Sequence, residues 1–315
     1  MKALITGVTG FAGQHLASHL LDCGDAVLGV STDGGWGENR DSWLAGEVPL
    51  VTWDIRHEIS EDATSRIRTF APDTIFHLAA LSIPALCGDG EPTPDAIATN
   101  VEGTRRVCLL AEQLDSPPRV VFISSGRVYG DVTFDAPMVT EQSPTAPVTS
   151  YAKTKLQAEQ IVQFHGQRGL PYIIARAFNH TGPRQQPPLM LPQWCEQLAR
   201  GATVLSIRNG NVSMDLSDVR DVVGAYRMLA VDAPAGEIYN VGSGQAVKTG
   251  EIANELLRIA SIDANLQSES DRAQQNAIAD ITKLTQQTMW RPRVSLPDTI
   301  ARTWEYWVEQ IGGKS

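Results

Sequence analysis

Apolar residues in the first half of this chain follow two alternating rhythms. Short, densely apolar runs read as buried strands: KALIT (2–6), AVLGV (26–30), PLVTWD (49–54), TIFHLAA (74–80), RVVFISS (119–125) and YIIARAF (172–178). Between them the spacing is helical, first through Phe11, Leu16, Leu20 and Leu21, then near 58–70, 97–115 and 151–168. This alternation predicts an α/β fold with a doubly wound parallel sheet covered by helices on both faces. The stretch 31–48, rich in Gly, Asp and Ser, predicts a loop.

The second half has a different texture. Pro and Gln crowd 183–193, and helical patterns at 188–201, 218–231, 248–260 and 296–310 are separated by short strands such as TVLSI and EIYNVGSG. A smaller, mixed α/β C-terminal lobe is expected, with some segments returning to the main sheet. The division is drawn at 1–178 and 179–315.

Where the first strand becomes the first helix, Gly7, Gly10 and Gly13 recur every three residues. Glycines at such a turn permit a tight bend, close approach of a ligand and close packing of helix on strand. The helix that follows points its free N–H groups and positive dipole end at the turn, which suits a pyrophosphate. The N-terminal part is thus expected to be Rossmann-type and to bind a dinucleotide, with 179–315 mainly holding substrate.

Composition narrows the partners. The 315 residues carry a formal charge of −10 with no run of Lys or Arg, which argues against nucleic acid and anionic membrane. No apolar run approaches the roughly 18 residues needed to span a bilayer, and strand-like residues begin at position 2 with no charged leader. Cys23, Cys87, Cys108 and Cys195 lack paired metal-ligand spacing. A reducing cytoplasm and no metal are expected.

The most informative stretch is TSYAKTKLQAEQIV. Tyr151 and Lys155 lie four apart on a predicted helix and so share a face. A free phenol titrates at about 10, and a nearby ammonium favours the phenolate, so Lys155 is expected to draw Tyr151 toward working range. Ser124 and Ser125 end a buried strand, where doubly wound sheets bind ligands. A serine there can hold a carbonyl oxygen that a tyrosine protonates; a plain surface helix and a plain turn are the alternatives.

These residues, together with Asp54–Ile55, HLAA (77–80), Asn100, RAFNHTGP (176–183) and DLSDVRDVVGAY (215–226), resemble the extended short-chain dehydrogenase/reductases of the sugar-nucleotide epimerase/dehydratase group. The resemblance runs nearly end to end. It implies that Ser125 orients the substrate oxygen, Tyr151 transfers the proton, and Lys155 holds the nicotinamide ribose. It implies a cofactor seat of Gly7, Gly10, Phe11, Ala12, Gly13, Ser31, Thr32, Asp54, Ile55, Leu78, Ala79 and Ala80, with Tyr151 and Lys155. Asn179, Arg184, Asn209 and Arg272 become candidates for a nucleotide-sugar substrate. His180 is expected to be structural.

Dehydratases of the group carry an acid one or two places after the catalytic Ser or Thr; here Gly126 and Arg127 stand there. Reduction and epimerisation at C4 remain. ISSGRVYG, RAFNHTGPRQ, YNVGSGQ and DRAQQ resemble the subgroup that reduces GDP-4-keto-6-deoxy-mannose to GDP-D-rhamnose. An NAD-dependent nucleotide-sugar 4-epimerase is the alternative, and a cofactor-sensing protein without catalysis a more distant one. Met214 stands where relatives usually have arginine, and Ser150 where proline is common. At the end of the second strand the Ser31 and Thr32 hydroxyls suit a 2′-phosphate while Asp33 would repel it, and the cofactor leans toward NADP(H) over NAD(H). A homodimer through the helices at 97–115 and 151–168 is also implied.

Overall fold

Seven parallel strands order the molecule. In the computed structural model, which describes residues 1–37 and 43–312, these are β1 (Lys2–Thr6), β2 (Ala26–Ser31), β3 (Leu50–Thr52), β4 (Thr74–His77), β5 (Arg119–Ser125), Tyr172–Ala177 and Glu237–Val241. From edge to edge they run 237–241, 172–177, β5, β4, β1, β2, β3. The order reverses between β1 and β4, and the crevice at the carboxyl ends of these two strands is where such sheets take ligands.

The strands are apolar at most positions because both faces are covered. On one face α1 (Phe11–Asp22) and the helix Val219–Asp232 close a core around Leu16, Leu20, Phe76, Ile173 and Tyr226. On the other, the helices Glu61–Phe70, Gly103–Glu112 and Ser150–Gln167 pack on Leu4, Ile75, Phe122 and Ile174. The second half contributes the 219–232 helix and the 237–241 edge strand to this body. Its remaining helices, Met190–Ala199, Thr249–Ala260 and Leu296–Gly312, enclose a separate core around Trp194, Leu205, Leu256 and Trp307.

Two local expectations need correction. The stretch 31–48 contains a short helix, Leu44–Glu47, because Leu44 is drawn wholly into the core; residues 38–42 lie outside the described residues. The helix at 97–115 begins as a π-helical segment, Ile97–Glu102, and becomes α-helical only over Gly103–Glu112. Asn100 projects from that wide turn, accepts from the Leu81 amide at 2.8 Å, and donates to the Leu81 carbonyl and the Thr154 hydroxyl at 3.0 Å. The turn therefore braces the helix that carries Tyr151.

Candidate active site

A trough of about 950 Å³ runs along the carboxyl ends of the strands. Gly7, Gly10, Phe11, Ala12 and Gly13 form its floor near β1, with Leu78, Ala79 and Ala80 on the β4 side. Ser31, Thr32, Asp54 and Ile55 close one end, and Ser125, Tyr151, Lys155 and Asn179 line the other. Residues as far apart in the chain as Gly7 and Ala277 thus face one cavity.

The glycine turn is built for close approach. Gly7 has φ +71°, and a Cβ on it would stand 2.7 Å from the Ala79 amide nitrogen. At Gly13 a Cβ would fall 2.2 Å from the Gly7 carbonyl oxygen. Gly10 caps α1 without any side-chain hydrogen bond, so the helix start offers backbone N–H groups beside the trough, the arrangement that accepts a pyrophosphate. At the far end the Ser31 hydroxyl is buried with no partner among the described residues, and unpaired buried hydroxyls are costly unless a ligand or water meets them. These features fit the phosphate and ribose groups of a dinucleotide.

At that end the side chains have a definite arrangement. The Asp33 carboxylate accepts from the Gly35 amide at 2.9 Å and is not part of the trough wall, whereas Ser31 and Thr32 are. Asp54 is clasped by Arg56, whose Nε and Nη2 donate to it at 3.0–3.1 and 2.7 Å. This charge-assisted pair holds the Asp54 carboxyl below its ordinary range. Arg56, unnoticed in the sequence, also lines the trough.

The three catalytic candidates converge at the opposite end. Ser125 ends β5, and Tyr151 and Lys155 share one face of the 150–167 helix, which Thr149 caps by accepting from Ala152 N at 3.2 Å. Ser125 lies close enough to the Tyr151 phenol to favour its ionisation. Burial pushes the phenol up to about 12, with Cys87 adding to the rise and Ser125 and Arg127 opposing it. Lys155 behaves differently from the expectation. Its Nζ donates to the Ile123 carbonyl at 2.8 Å and lies 6.0 Å from the centre of the Tyr151 ring. Burial presses it down to about 8, against the pull of Glu159 and Cys87. The protein alone therefore keeps Tyr151 a protonated phenol: desolvation outweighs every neighbouring charge.

Behind the triad lies a buried ion pair. Glu159, one turn beyond Lys155, accepts from Ser124 Oγ at 2.5 Å and from Arg176 Nε and Nη2 at 3.0 and 2.8 Å. The 150–167 helix is thereby tied to β5 and to the next strand. His77 of β4 is also buried, between the hydroxyls of Thr6 and Thr104 at 2.7 and 3.0 Å; burial and Lys155 hold it down to about 3, hence neutral. His180 stacks on Phe11 and hydrogen-bonds the Phe178 carbonyl at 3.0 Å.

Of the substrate candidates, only Asn179 lines the trough; it donates to the Asp215 carbonyl at 3.1 Å. Arg184, with φ +71°, lies close enough to His15 of α1 to oppose its protonation. Asn209 donates to the Arg272 carbonyl at 2.9 Å, and both sit outside the wall. Arg127, marked in the sequence only for not being an acid, and the unmarked Asp131, Gln185, Gln274 and Asn276 line the trough instead. Gln274 arrives through a strand pairing with Val212, which no local pattern announces.

A family model for the "NAD dependent epimerase/dehydratase family" matches residues 3–242. A Pseudomonas aeruginosa GDP-6-deoxy-D-mannose reductase is 27% identical, covering 98% of each chain. A UDP-glucose 4-epimerase of Mycolicibacterium smegmatis is 31% identical over 97% of this chain and 98% of its own. The solved structure of RMD from Pseudomonas aeruginosa complexed with NADPH superposes with a TM-score of 0.80 at 27% identity, covering 98% of this chain and 99% of that one.

Proposed function

Since the chain belongs to the NAD-dependent epimerase/dehydratase family of nucleotide-sugar enzymes, we propose that it is a reductase of the C4 ketone of a nucleotide-activated 4-keto-6-deoxy sugar, GDP-4-keto-6-deoxy-mannose giving GDP-D-rhamnose. The observation that carries this reading is the surrounding of Ser125. Dehydration needs an acid next to the catalytic hydroxyl, and here the adjoining turn is Gly126–Tyr129. A Cβ at Gly126 would stand 2.9 Å from the Phe178 ring, so the aromatic side chain occupies the space that an acid would need. The following residue, Arg127, has the opposite charge.

The nicotinamide, when bound, supplies a hydride to C4. Tyr151, kept protonated by its burial, gives the phenolic proton to the oxygen that was the ketone, while the Ser125 hydroxyl orients that oxygen. Lys155, tethered to β5, presents the remaining N–H bonds of its ammonium to the nicotinamide ribose. A neutral phenol suits the reductive direction, in which the first proton is donated.

NADPH is the proposed cofactor. The Ser31 and Thr32 hydroxyls on the trough wall, with the Asp33 carboxylate taken up by the Gly35 amide, support a 2′-phosphate over a free ribose hydroxyl. Residues 1–178, with the returning segments 219–232 and 237–241, carry cofactor and triad in this reading; the rest of 179–315 carries substrate. The protein works as a cytoplasmic homodimer, a reading supported by the exposed Leu109 and Phe164 on the two helices named for it.

Purified protein mixed with NADPH, and separately NADH, plus GDP-4-keto-6-deoxy-mannose tests the reading through absorbance of the reduced nicotinamide. Stoichiometric oxidation that disappears in Tyr151→Phe supports it. The M. smegmatis relative favours a second reading, a 4-epimerase, which would convert its substrate with no net oxidation of added cofactor.

A further inference from the structure

Three cationic side chains line the trough among the described residues: Arg56, Lys155 and Arg127. Arg56 is taken up by Asp54. Lys155 donates to the Ile123 carbonyl, and burial presses it down to about 8. Arg127 differs from both. A guanidinium keeps its charge at every working pH, and this one has no carboxylate or hydrogen-bond partner among the described residues. Asp131, four residues on, also lines the trough, but no ion pair among the described residues joins the two.

The backbone fixes where this cation stands. Arg127 lies in the turn Gly126–Tyr129, and its N–H donates to Ser125 Oγ at 3.2 Å. That bond occupies a lone pair of the serine oxygen and leaves its O–H to be given to a ligand. The side chain is exposed on the trough wall, and its charge opposes protonation of the Tyr151 phenol. An oxygen that Ser125 orients and Tyr151 protonates must lie within hydrogen-bond reach of both, and therefore in the same field.

Negative charge passes through this place twice during reduction. Hydride addition to C4 oxidises NADPH to NADP⁺ and pushes the carbonyl π pair onto oxygen as an alkoxide. The phenolic proton of Tyr151 then moves to that oxygen and leaves a phenolate. We propose that Arg127 takes part in the reaction itself, as a fixed cation that stabilises the charge gathering on the C4 oxygen when hydride arrives. Bound substrate displaces water from the guanidinium, which strengthens the attraction. The proposal rests on the reductase reading above and adds a fourth group to Ser125, Tyr151 and Lys155.

A single turnover with saturating GDP-4-keto-6-deoxy-mannose, followed by stopped-flow absorbance of NADPH, reads hydride transfer directly. Calorimetry of GDP on the NADP⁺-saturated protein reads nucleotide binding. Arg127→Met is expected to slow hydride transfer about tenfold or more. GDP affinity and thermal unfolding should stay unchanged, because the substitution keeps the backbone bond to Ser125. Arg127→Lys should recover most of the rate and Arg127→Gln little of it. An unchanged rate in Arg127→Met overturns the proposal and leaves the reductase reading standing. A loss confined to KM, or one equally large in Arg127→Lys, overturns it as well, since charge at the reacting oxygen is then not the agent. If the wild-type protein oxidises no NADPH, the reductase reading fails and this proposal fails with it.

Discussion

Lys155 Nζ stands 2.8 Å from the carbonyl oxygen of Ile123, so the ammonium is fastened to the strand that ends in Ser125 before it touches any ligand. The bond fixes the distance between helix and strand at the triad, yet it leaves a buried cation with no carboxylate in contact among the described residues. Replacing Lys155 by Met is expected to abolish turnover, by about 100-fold or more. The ligand-free protein should be as stable as the wild type or more so, because the desolvation of the charge is relieved. Thermal unfolding beside a rate measurement checks both halves; loss of folding in the variant contradicts the account.

The same group sets a pH dependence of opposite sign for activity and stability. In the folded protein Lys155 gives up its proton near pH 8, and in the unfolded chain at its ordinary 10.5. Between these values the unfolded chain binds more protons, so stability is expected to rise with pH across that window. Reduction should instead slow as the pH passes about 8, since the ammonium is lost. Lys155→Arg should move the fall in rate to higher pH.

Glu159 and Arg176 are buried together, at 1% and 4% exposure. Glu159→Gln leaves the guanidinium without its counter-charge and is expected to cost about 3–5 kcal/mol in urea unfolding. A double replacement by Leu and Met of similar volume should recover much of that, because both charges then leave the interior. Activity should fall in the single variant as well, as the Ser124 hydroxyl beside Ser125 exchanges a carboxylate acceptor for a neutral amide.

Gly13→Ala would drive a methyl against the Gly7 carbonyl oxygen. The turn must then open, and NADPH affinity, followed by fluorescence titration, is expected to drop more than about tenfold, with little change in the C-terminal core. An unchanged affinity would remove the cofactor from this turn.

Cofactor preference hinges on the end of β2. Ser31→Asp places a carboxylate on the trough wall, where the native Asp33 does not reach. The ratio of NADPH to NADH affinity is expected to fall by at least about tenfold; a ratio that stays constant would show that the 2′ position lies elsewhere.

Much of this architecture can be read from the chain. Buried parallel strands are apolar at successive positions, so RVVFISS and TIFHLAA announce themselves, and the Gly7/Gly10/Gly13 turn and the Tyr151–Lys155 pair are local patterns. What escapes is decided across the sheet. The tether from Lys155 to Ile123 depends on the approach of a helix to a strand 32 residues away. The entry of Gln274 and Asn276 into the trough depends on a two-residue strand with no signal of its own. Asn209 and Arg272 have the right chemistry for a substrate site, yet their two loops meet so that Asn209 is spent on the Arg272 carbonyl.

The edge strand Glu237–Val241 has a consequence for how the chain is made. It hydrogen-bonds along the length of Tyr172–Ala177, whose sequence YIIARA is otherwise a bare, apolar edge of the kind that recruits other chains. During synthesis that edge stays unsatisfied until residue 241 has left the ribosome, long after the triad and the glycine turn have emerged. The nascent protein thus passes through a stage with its chemical groups complete and its sheet open, and is most prone to aggregate then.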